Sequence, residues 1–197
     1  MQFIAFDEAT ARPWDVVIAG TSFAASFFAH ALRGRGLGVL FVEKGGMLSH
    51  ADMLADRLRD RYAAIPQDNR SPHRKDWTVL HQFGGCSNCW WGNVPRLHPS
   101  DFTLRTDHDV GVDWPVGYDV LEPYFVRVEA MMEVAGGDDD AVFPRSAPLP
   151  HPPHRATRAE RRLMAHDRRW VPMPTARSNG GSRPTCCATG ACNLCPI

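Results

Sequence analysis

The 197-residue chain carries no excess of either charge: 22 Lys and Arg stand against 22 Asp and Glu, so it is formally neutral at pH 7. A surface that coats nucleic acid or grips an anionic membrane needs a basic surplus, and neither is expected. No apolar run reaches the ~18–20 residues of a membrane span. The first residues, Met1 to Glu8, show no basic segment leading into a long apolar one, so no secretory signal is read there and a cytoplasmic location is expected. Cysteine is sparse at six residues, too few for a disulfide-dense secreted scaffold. The thiols are therefore read as free side chains, or as metal or cluster ligands, before structural bridges. No repeat recurs at solenoid periods. Hydrophobic residues at 44% and charged residues at 22% make an ordinary globular composition, and wholesale disorder is not expected.

Asp15 to Ala19 is a short, β-branched apolar run and reads as a buried strand. Gly20-Thr21-Ser22 follows as a tight turn. Phe23, Phe27, Phe28, Ala31 and Leu32 then share one face of a helix that Gly34 and Gly36 end. Val39 to Glu43 is a second buried strand, so 15–43 reads as a βαβ unit with a parallel sheet. Further on, a polar helix is expected from Asp52 to Tyr62 and a loop from Pro66 to Lys75. A longer helix is expected from Tyr118 to Val134 with Leu121, Tyr124, Phe125, Val128, Met131 and Met132 as its apolar stripe. Asp138 to His154 holds five prolines and reads as extended chain. A short basic helix is expected between Ala156 and Asp167. The fold class is α/β. The expected organisation is a partial Rossmann-like domain over 1–136 and a Pro/Arg/Cys-rich extension over 137–197.

The turn Gly20-Thr21-Ser22-Phe23-Ala24-Ala25 carries chemistry. Compared with G-x-G-x-x-G/A, the first Gly is present, Ser22 replaces the second, and Ala25 fills the third. Such a turn needs a Gly for its geometry, a small residue where backbone meets a pyrophosphate, and a small residue where helix packs on strand. Helix N–H groups and the helix dipole then hold the phosphate charge. Glu43 ends the second strand, where a carboxylate accepts hydrogen bonds from adenosine ribose hydroxyls. An acid there with no Arg beside it disfavours a 2′-phosphorylated ribose. The competing reading is an ordinary βαβ unit with Glu43 there by chance; the strand, turn, helix, strand and acid together favour a nucleotide.

Phe83 to Phe102 is the most distinctive stretch. Gly84, Gly85, Ser87, Asn88 and Gly92 offer unhindered backbone N–H groups and small polar side chains, suited to a loop held against a phosphate or the edge of an aromatic ring. The plainer alternative is a Gly-rich turn beside a Trp-filled core. With these residues in view, the sequence resembles the glucose-methanol-choline (GMC) family of FAD-dependent oxidoreductases. Asp15–Ala25 is similar to that family's dinucleotide fingerprint, and Val39–Gly46 to its ribose-binding strand. Gly84–Phe102 resembles its Gly-Gly-Ser-Ser-x-x-Trp…Arg-Leu-x-Pro-x-Asp-Phe signature. Trp114–Glu129 resembles its Trp-Pro-x-x-Tyr-x-x-Leu-Glu-Pro-Tyr-Tyr helix, and Cys187–Pro196 a Cys/Gly segment of some branches.

The resemblance implies that Gly20, Ser22 and Ala25 meet the FAD pyrophosphate and Glu43 the adenosine ribose, with Thr21 and Lys44 also counted among the cofactor-binding residues. It places Gly84, Gly85, Ser87, Asn88 and Gly92 along the pyrophosphate and isoalloxazine. The two motifs should then fold against each other. The family oxidises an alcohol or sugar CH–OH by hydride transfer to flavin N5, with a histidine taking the hydroxyl proton. Cys89 stands where some relatives carry a flavin-linked histidine, so non-covalent FAD is expected. Family members run to more than twice this length, with the substrate domain and catalytic base beyond Ile197. A partial sequence is therefore expected, with no catalytic residue assigned within it. An alcohol or sugar is the expected substrate, with an unspecified electron acceptor, no nucleic acid and no membrane span.

Two other readings compete. The chain is a catalytically silent flavin- or nucleotide-binding fragment, or an iron–sulfur or zinc electron-transfer module. Cys187-x4-Cys192-x2-Cys195 matches three ligands of a plant-type [2Fe–2S] site but lacks the fourth. The pairs Cys86-x2-Cys89 and Cys192-x2-Cys195 lie about a hundred residues apart, unlike the ~15–20 of a compact zinc site. No metal is expected, and small buried thiols near the flavin are the plainer reading of the cysteines. Among the histidines, His30 reads as packing or surface and His81 and His98 as structural, while His151 and His154 in the Pro-rich loop could cover a substrate mouth in a full-length enzyme. Trp90, Trp91 and Trp114 read as core or interface.

Overall fold

The computed structural model describes residues 2–49, 51–52, 62–64, 68, 70, 72–73, 78–137, 142–167, 172–181 and 184–187. They gather into two compact units that part between Trp90 and Trp91, and Gly136, where the composition changes, lies inside the second.

In the first unit, α1 (Phe6–Thr10) precedes β1 (Val16–Ala19), α2 (Phe23–Leu32) and β2 (Val39–Val42). β1 and β2 pair in parallel, Val16 opposite Val39 through Ala19 opposite Val42. The register is pinned at its start: the Asp15 carboxylate accepts the Gly38 amide at 2.7 Å, and the Asp15 amide donates back to the Gly38 carbonyl at 3.0 Å. Gly34 and Gly36 take positive φ (78° and 73°) to turn the chain between α2 and β2. The expected strand–helix–strand is therefore present, within a mixed α/β architecture. A second pair of strands, β3 (Tyr62–Ala64) and β4 (Thr78–Leu80), is antiparallel.

Three expectations in this unit need correction. Tyr62 opens a strand and does not end a helix; residues 53–61 lie outside the described residues, as do most of 66–75. The apolar face of α2 is only half covered: Phe27 and Leu32 are half-buried, whereas Phe28 is 53% exposed. β1 and β2 are not fully buried either, because Val17 and Val42 point to an exposed face. No helix among the described residues is long and apolar enough to cross a membrane.

The second unit holds α3 (Leu104–His108), α4 (Tyr118–Met131) and α5 (Arg158–His166). α5 starts on a capping box in which the Thr157 hydroxyl accepts the Glu160 amide and the Glu160 carboxylate accepts the Thr157 amide. Four separate segments, around Asn93, Ala135, His151 and Thr175, meet through three single backbone bridges. Thr175 exchanges both hydrogen bonds with Ala135 (2.8 and 2.9 Å), the Val94 amide donates to Pro174, and the Gly136 amide donates to His151. Val134 and Ala135 are buried at these bridges, and Phe102 is buried against Trp114 and Tyr118. Trp91 and Trp114 are about half exposed, not core.

α4 ends three residues earlier than its periodicity suggests, because Glu133 adopts a left-handed φ of 51° and turns the chain. Its inward face also differs from the apolar stripe. Tyr124 and Met131 face solvent, while Glu129 is buried. The reason is Arg96, whose side chain is 2% exposed. Its guanidinium binds Glu129 bidentately, Nε to Oε1 and Nη2 to Oε2, both at 2.7 Å. Nη1 reaches Glu122 at 3.0 Å, the Tyr118 hydroxyl at 3.1 Å and the Pro144 carbonyl at 2.9 Å. Tyr118, Glu122, Phe125 and Glu129 fall on one helical face, so the cation selects that face over the apolar stripe. Burial opposes charge on Arg96, but its bonds to Glu129, Tyr118 and Glu122 outweigh that and raise its pKa. Arg145 adds a second cation beside Glu129, at 3.4 Å.

Removing one member of a buried, hydrogen-bonded charge cluster strands the others. Arg96→Ala is expected to cost about 3–5 kcal/mol in a denaturant titration. Glu122 carries a pH signature. The Ser146 amide donates to it, burial opposes its charge, and the Ser146 hydroxyl and Arg96 help to hold its pKa below the ordinary value. A depressed native pKa gives stability that is complete above about pH 4.3, the unfolded value, and is lost as pH falls through the native one. Ser146→Ala, which removes one hydroxyl donor, should shift that acid loss to higher pH in a melting-temperature series.

Candidate functional site

The turn after β1 is built as its sequence demands at one position and more loosely at another. Gly20 has φ +87°, a conformation costing an L-residue roughly 1–2 kcal/mol, and its amide donates to the Val42 carbonyl at 2.8 Å. A Cβ built there meets nothing within 4 Å, so the backbone is open on that side. Ser22, the N-cap of α2, has φ −79° and ψ −170°, extended backbone open to any residue. That explains the tolerance for serine where the fingerprint usually has glycine: no left-handed geometry is required. The Ser22 side chain is exposed and makes no capping hydrogen bond, so the first-turn amides of α2 have no side-chain partner from it. Ala25 is half-buried in the first turn of α2.

Thr21 is the most constrained member of the turn. It is 7% exposed, and its hydroxyl donates to Glu43 Oε2 at 2.6 Å. The Thr21 hydroxyl oxygen accepts the Gly84 amide at 2.7 Å. Glu43 Oε1 accepts the amides of Lys44 (2.8 Å) and Gly45 (3.3 Å). Burial resists ionisation of Glu43, but the Thr21 hydroxyl and the Gly45, Lys44 and Thr21 amides outweigh it and hold its carboxyl below the ordinary range. The Lys44 side chain is exposed.

Gly84 and Gly85 have positive φ (89° and 51°) and lead into a 3₁₀ turn, Gly85–Cys89. The Ser87 hydroxyl donates to the Gly84 carbonyl. Asn88 Nδ2 donates to the carbonyls of Phe83 (2.9 Å) and Gly85 (3.0 Å). Both side chains thus fold the loop on itself. A Cβ on Gly84 would lie 2.6 Å from Asn88 Nδ2, and one on Gly85 would lie 4.0 Å from Ser22 Cβ. At the loop's far end, Trp90 packs edge-on to Phe23 of α2, with ring centroids 4.7 Å apart.

The structure therefore brings Gly20, Thr21, Ser22, Glu43, Gly84 and Gly85 into one neighbourhood. Gly92 belongs to the second unit, where it has φ +79° and faces the Arg177 side chain, with a Cβ falling 3.3 Å from Cγ. The expectation of buried thiols is corrected: Cys86 and Cys187 are exposed, Cys89 and Cys186 half-exposed. Cys86 stands on the 3₁₀ turn, where its sulfur accepts the Leu80 amide at 3.4 Å. Cys192 and Cys195 lie outside the described residues. His151 and His154 hold backbone: the His151 amide donates to Val134, and His154 Nε2 pairs with the Arg177 carbonyl at 3.1 Å.

One residue that positions the site was not singled out from the sequence. Gly45 presses on the chain before the second motif, where a Cβ would lie 2.1 Å from the His81 carbonyl oxygen. Beside it, the Phe83 amide donates to the Gly46 carbonyl at 2.9 Å. The Gly45-Gly46 pair after Glu43 is the sequence feature that marks this close approach. Gly45→Ala must displace backbone and is expected to cost at least about 1–3 kcal/mol. Gly46→Ala, with nothing within 4 Å of a new Cβ, should stay within about 0.5 kcal/mol. Paired denaturation curves measure both.

No family model matches the chain. Curated proteins do. The chain is 28% identical to the fructose dehydrogenase large subunit of Gluconobacter japonicus, over 93% of this chain and 40% of that protein. It is 31% identical to 6'''-hydroxyparomomycin C oxidase of Streptomyces lividus, over 94% of this chain and 36% of that one. It is 30% identical to paromamine 6'-oxidase of Streptomyces fradiae, over 91% and 36%. The chain thus spans about two fifths or less of the length of these relatives. Among solved structures, pyridoxine 4-oxidase from Mesorbium loti matches with a TM-score of 0.44 and 26% identity, over 58% of this chain and 24% of that one.

Proposed function

We propose, from the premise that this chain is a homologue of GMC-family oxidoreductases over most of its length, that its first unit binds the nucleotide part of a non-covalent FAD. We propose further that it serves an oxidation of an alcohol or sugar CH–OH. The observation that carries this reading is the Thr21 hydroxyl, which joins Glu43 to the Gly84 amide. That contact makes one neighbourhood of two motifs about sixty residues apart in the chain.

The residues suit an adenosine-pyrophosphate. Gly20 leaves open backbone where a phosphate approaches, and Ser22 offers an exposed hydroxyl at the start of α2. The α2 dipole and its first-turn amides favour negative charge there. Glu43 is held ionised, the state that accepts hydrogen bonds from ribose hydroxyls. With Lys44 exposed beside it and no arginine adjacent, the acid disfavours a 2′-phosphate. The Gly84–Asn88 loop, folded on itself by Ser87 and Asn88, holds its shape beside the turn without needing a ligand. FAD bound there supplies the acceptor for a hydride from substrate carbon.

The relatives' names, fructose dehydrogenase, 6'''-hydroxyparomomycin C oxidase and paromamine 6'-oxidase, favour a polyhydroxylated, sugar-like substrate. No residue of this chain is assigned as the base that takes the hydroxyl proton, and residues 1–197 alone are not expected to turn over an alcohol. The test is to supply FAD to the full-length protein, measure the bound visible flavin spectrum, and add candidate alcohols anaerobically. A yellow protein bleached by a sugar alcohol is expected. A protein that stays colourless with excess FAD overturns the proposal. Gly20→Ala should weaken FAD binding by about tenfold, the equivalent of roughly 1–2 kcal/mol of backbone strain.

A further inference from the structure

We infer that Thr21 is a positioning residue that touches no ligand: its hydroxyl transmits the anchoring of Glu43 to the Gly84 amide, so that the acid and the glycine loop take the nucleotide as one preassembled unit. The inference rests on the flavin-nucleotide reading above. The sequence places Thr21 among the cofactor-binding residues with Ser22, but Thr21 is buried and Ser22 is exposed.

A threonine hydroxyl has one proton to give and two lone pairs. The Thr21 proton is given to Glu43 Oε2 at 2.6 Å, and the Gly84 amide occupies a lone pair at 2.7 Å. To donate to a phosphate, Thr21 would have to abandon a charge-assisted bond to a carboxylate. The residue is also 7% exposed, which leaves little surface for a ligand atom. Its branched Cβ stiffens χ1 and holds the oxygen between its two partners. Ser22 is the opposite case, exposed and without a capping bond.

The relay has a direction. The donors to Glu43 are the Thr21 hydroxyl and amide and the amides of Lys44 and Gly45. The Gly84 amide is not among them, so Glu43 reaches Gly84 through Thr21. A change at Glu43 should therefore loosen Gly84, and a change at Ser22 should not.

The experiment uses the full chain, with amide hydrogen exchange read at Gly84 and dissociation constants measured for FAD and for ADP. Thr21→Val keeps the shape and removes the hydroxyl, leaving a buried N–H without its acceptor. Gly84 exchange should rise, and FAD and ADP binding should weaken by between about fivefold and a hundredfold. Thr21→Ser restores the hydroxyl and should bring both within about threefold of the parent. Glu43→Ala should also speed Gly84 exchange, at a site it does not touch. Ser22→Ala should weaken binding and leave Gly84 exchange unchanged.

If the parent binds FAD while Thr21→Val changes neither Gly84 exchange nor affinity, the inference is overturned. If Thr21→Val does not fold, Glu43→Ala decides: unaltered Gly84 protection overturns the relay, and lost protection supports it. A parent that binds neither FAD nor ADP overturns the nucleotide reading, and the exchange data, taken without ligand, still judge the relay separately.

Discussion

The first unit depends on one buried hydroxyl. Thr21 Oγ1 donates to an ionised carboxylate and accepts a backbone amide from sixty-odd residues further along the chain. Each of the three groups would be costly to bury alone: a carboxylate without donors, an amide without an acceptor, a hydroxyl without either. Together they satisfy one another, and the loop that carries Gly84 has one position in which this holds. Gly45 reinforces that position by steric means, because only a residue without Cβ lets the end of β2 lie against the His81–Gln82 backbone. Hydrogen bonding and close approach thus define the same placement by independent routes.

The second unit reaches order by a related route with larger charges. Arg96 collects Glu129, Glu122, Tyr118 and the Pro144 carbonyl around one guanidinium. A planar cation with five donors is suited to that task where a lysine would not be. The arrangement explains why the Arg-Leu and Tyr-x-x-Leu-Glu pieces of the sequence occur together: they are two sides of one ion cluster. It also ties the proline-rich stretch to α4, because Ser146 supplies two donors to Glu122. That stretch has no regular secondary structure around Pro144, and its backbone polar groups are used by the cluster.

Much of this was legible residue by residue. The βαβ register of β1, α2 and β2 follows from two apolar runs and a helical pattern between them. Gly20 was readable as a turn glycine because a fingerprint marks it. The helix over Tyr118 was readable, but its buried face was not. Periodicity selects apolar positions, and here a buried arginine outranks them, turning two glutamates inward and leaving Tyr124 and Met131 in solvent. The thiols were expected inside on the strength of their small size, yet Cys86 stands exposed on a 3₁₀ turn whose geometry is fixed by Gly84 and Gly85. Ser22 replaces the fingerprint's second glycine, and its extended backbone makes it an ordinary residue there.

The order of residues fixed the local conformations: which segments extend, which coil, and where a left-handed turn requires glycine. These depend on neighbours a few bonds away, whose sterics the chain carries with it. The partners of Thr21, Gly45 and Arg96 lie tens of residues away, and polar groups choose such partners only when folding removes water from both. Composition and spacing hold no record of that removal, so the hydroxyl relay and the ion cluster emerge only once the distant segments meet.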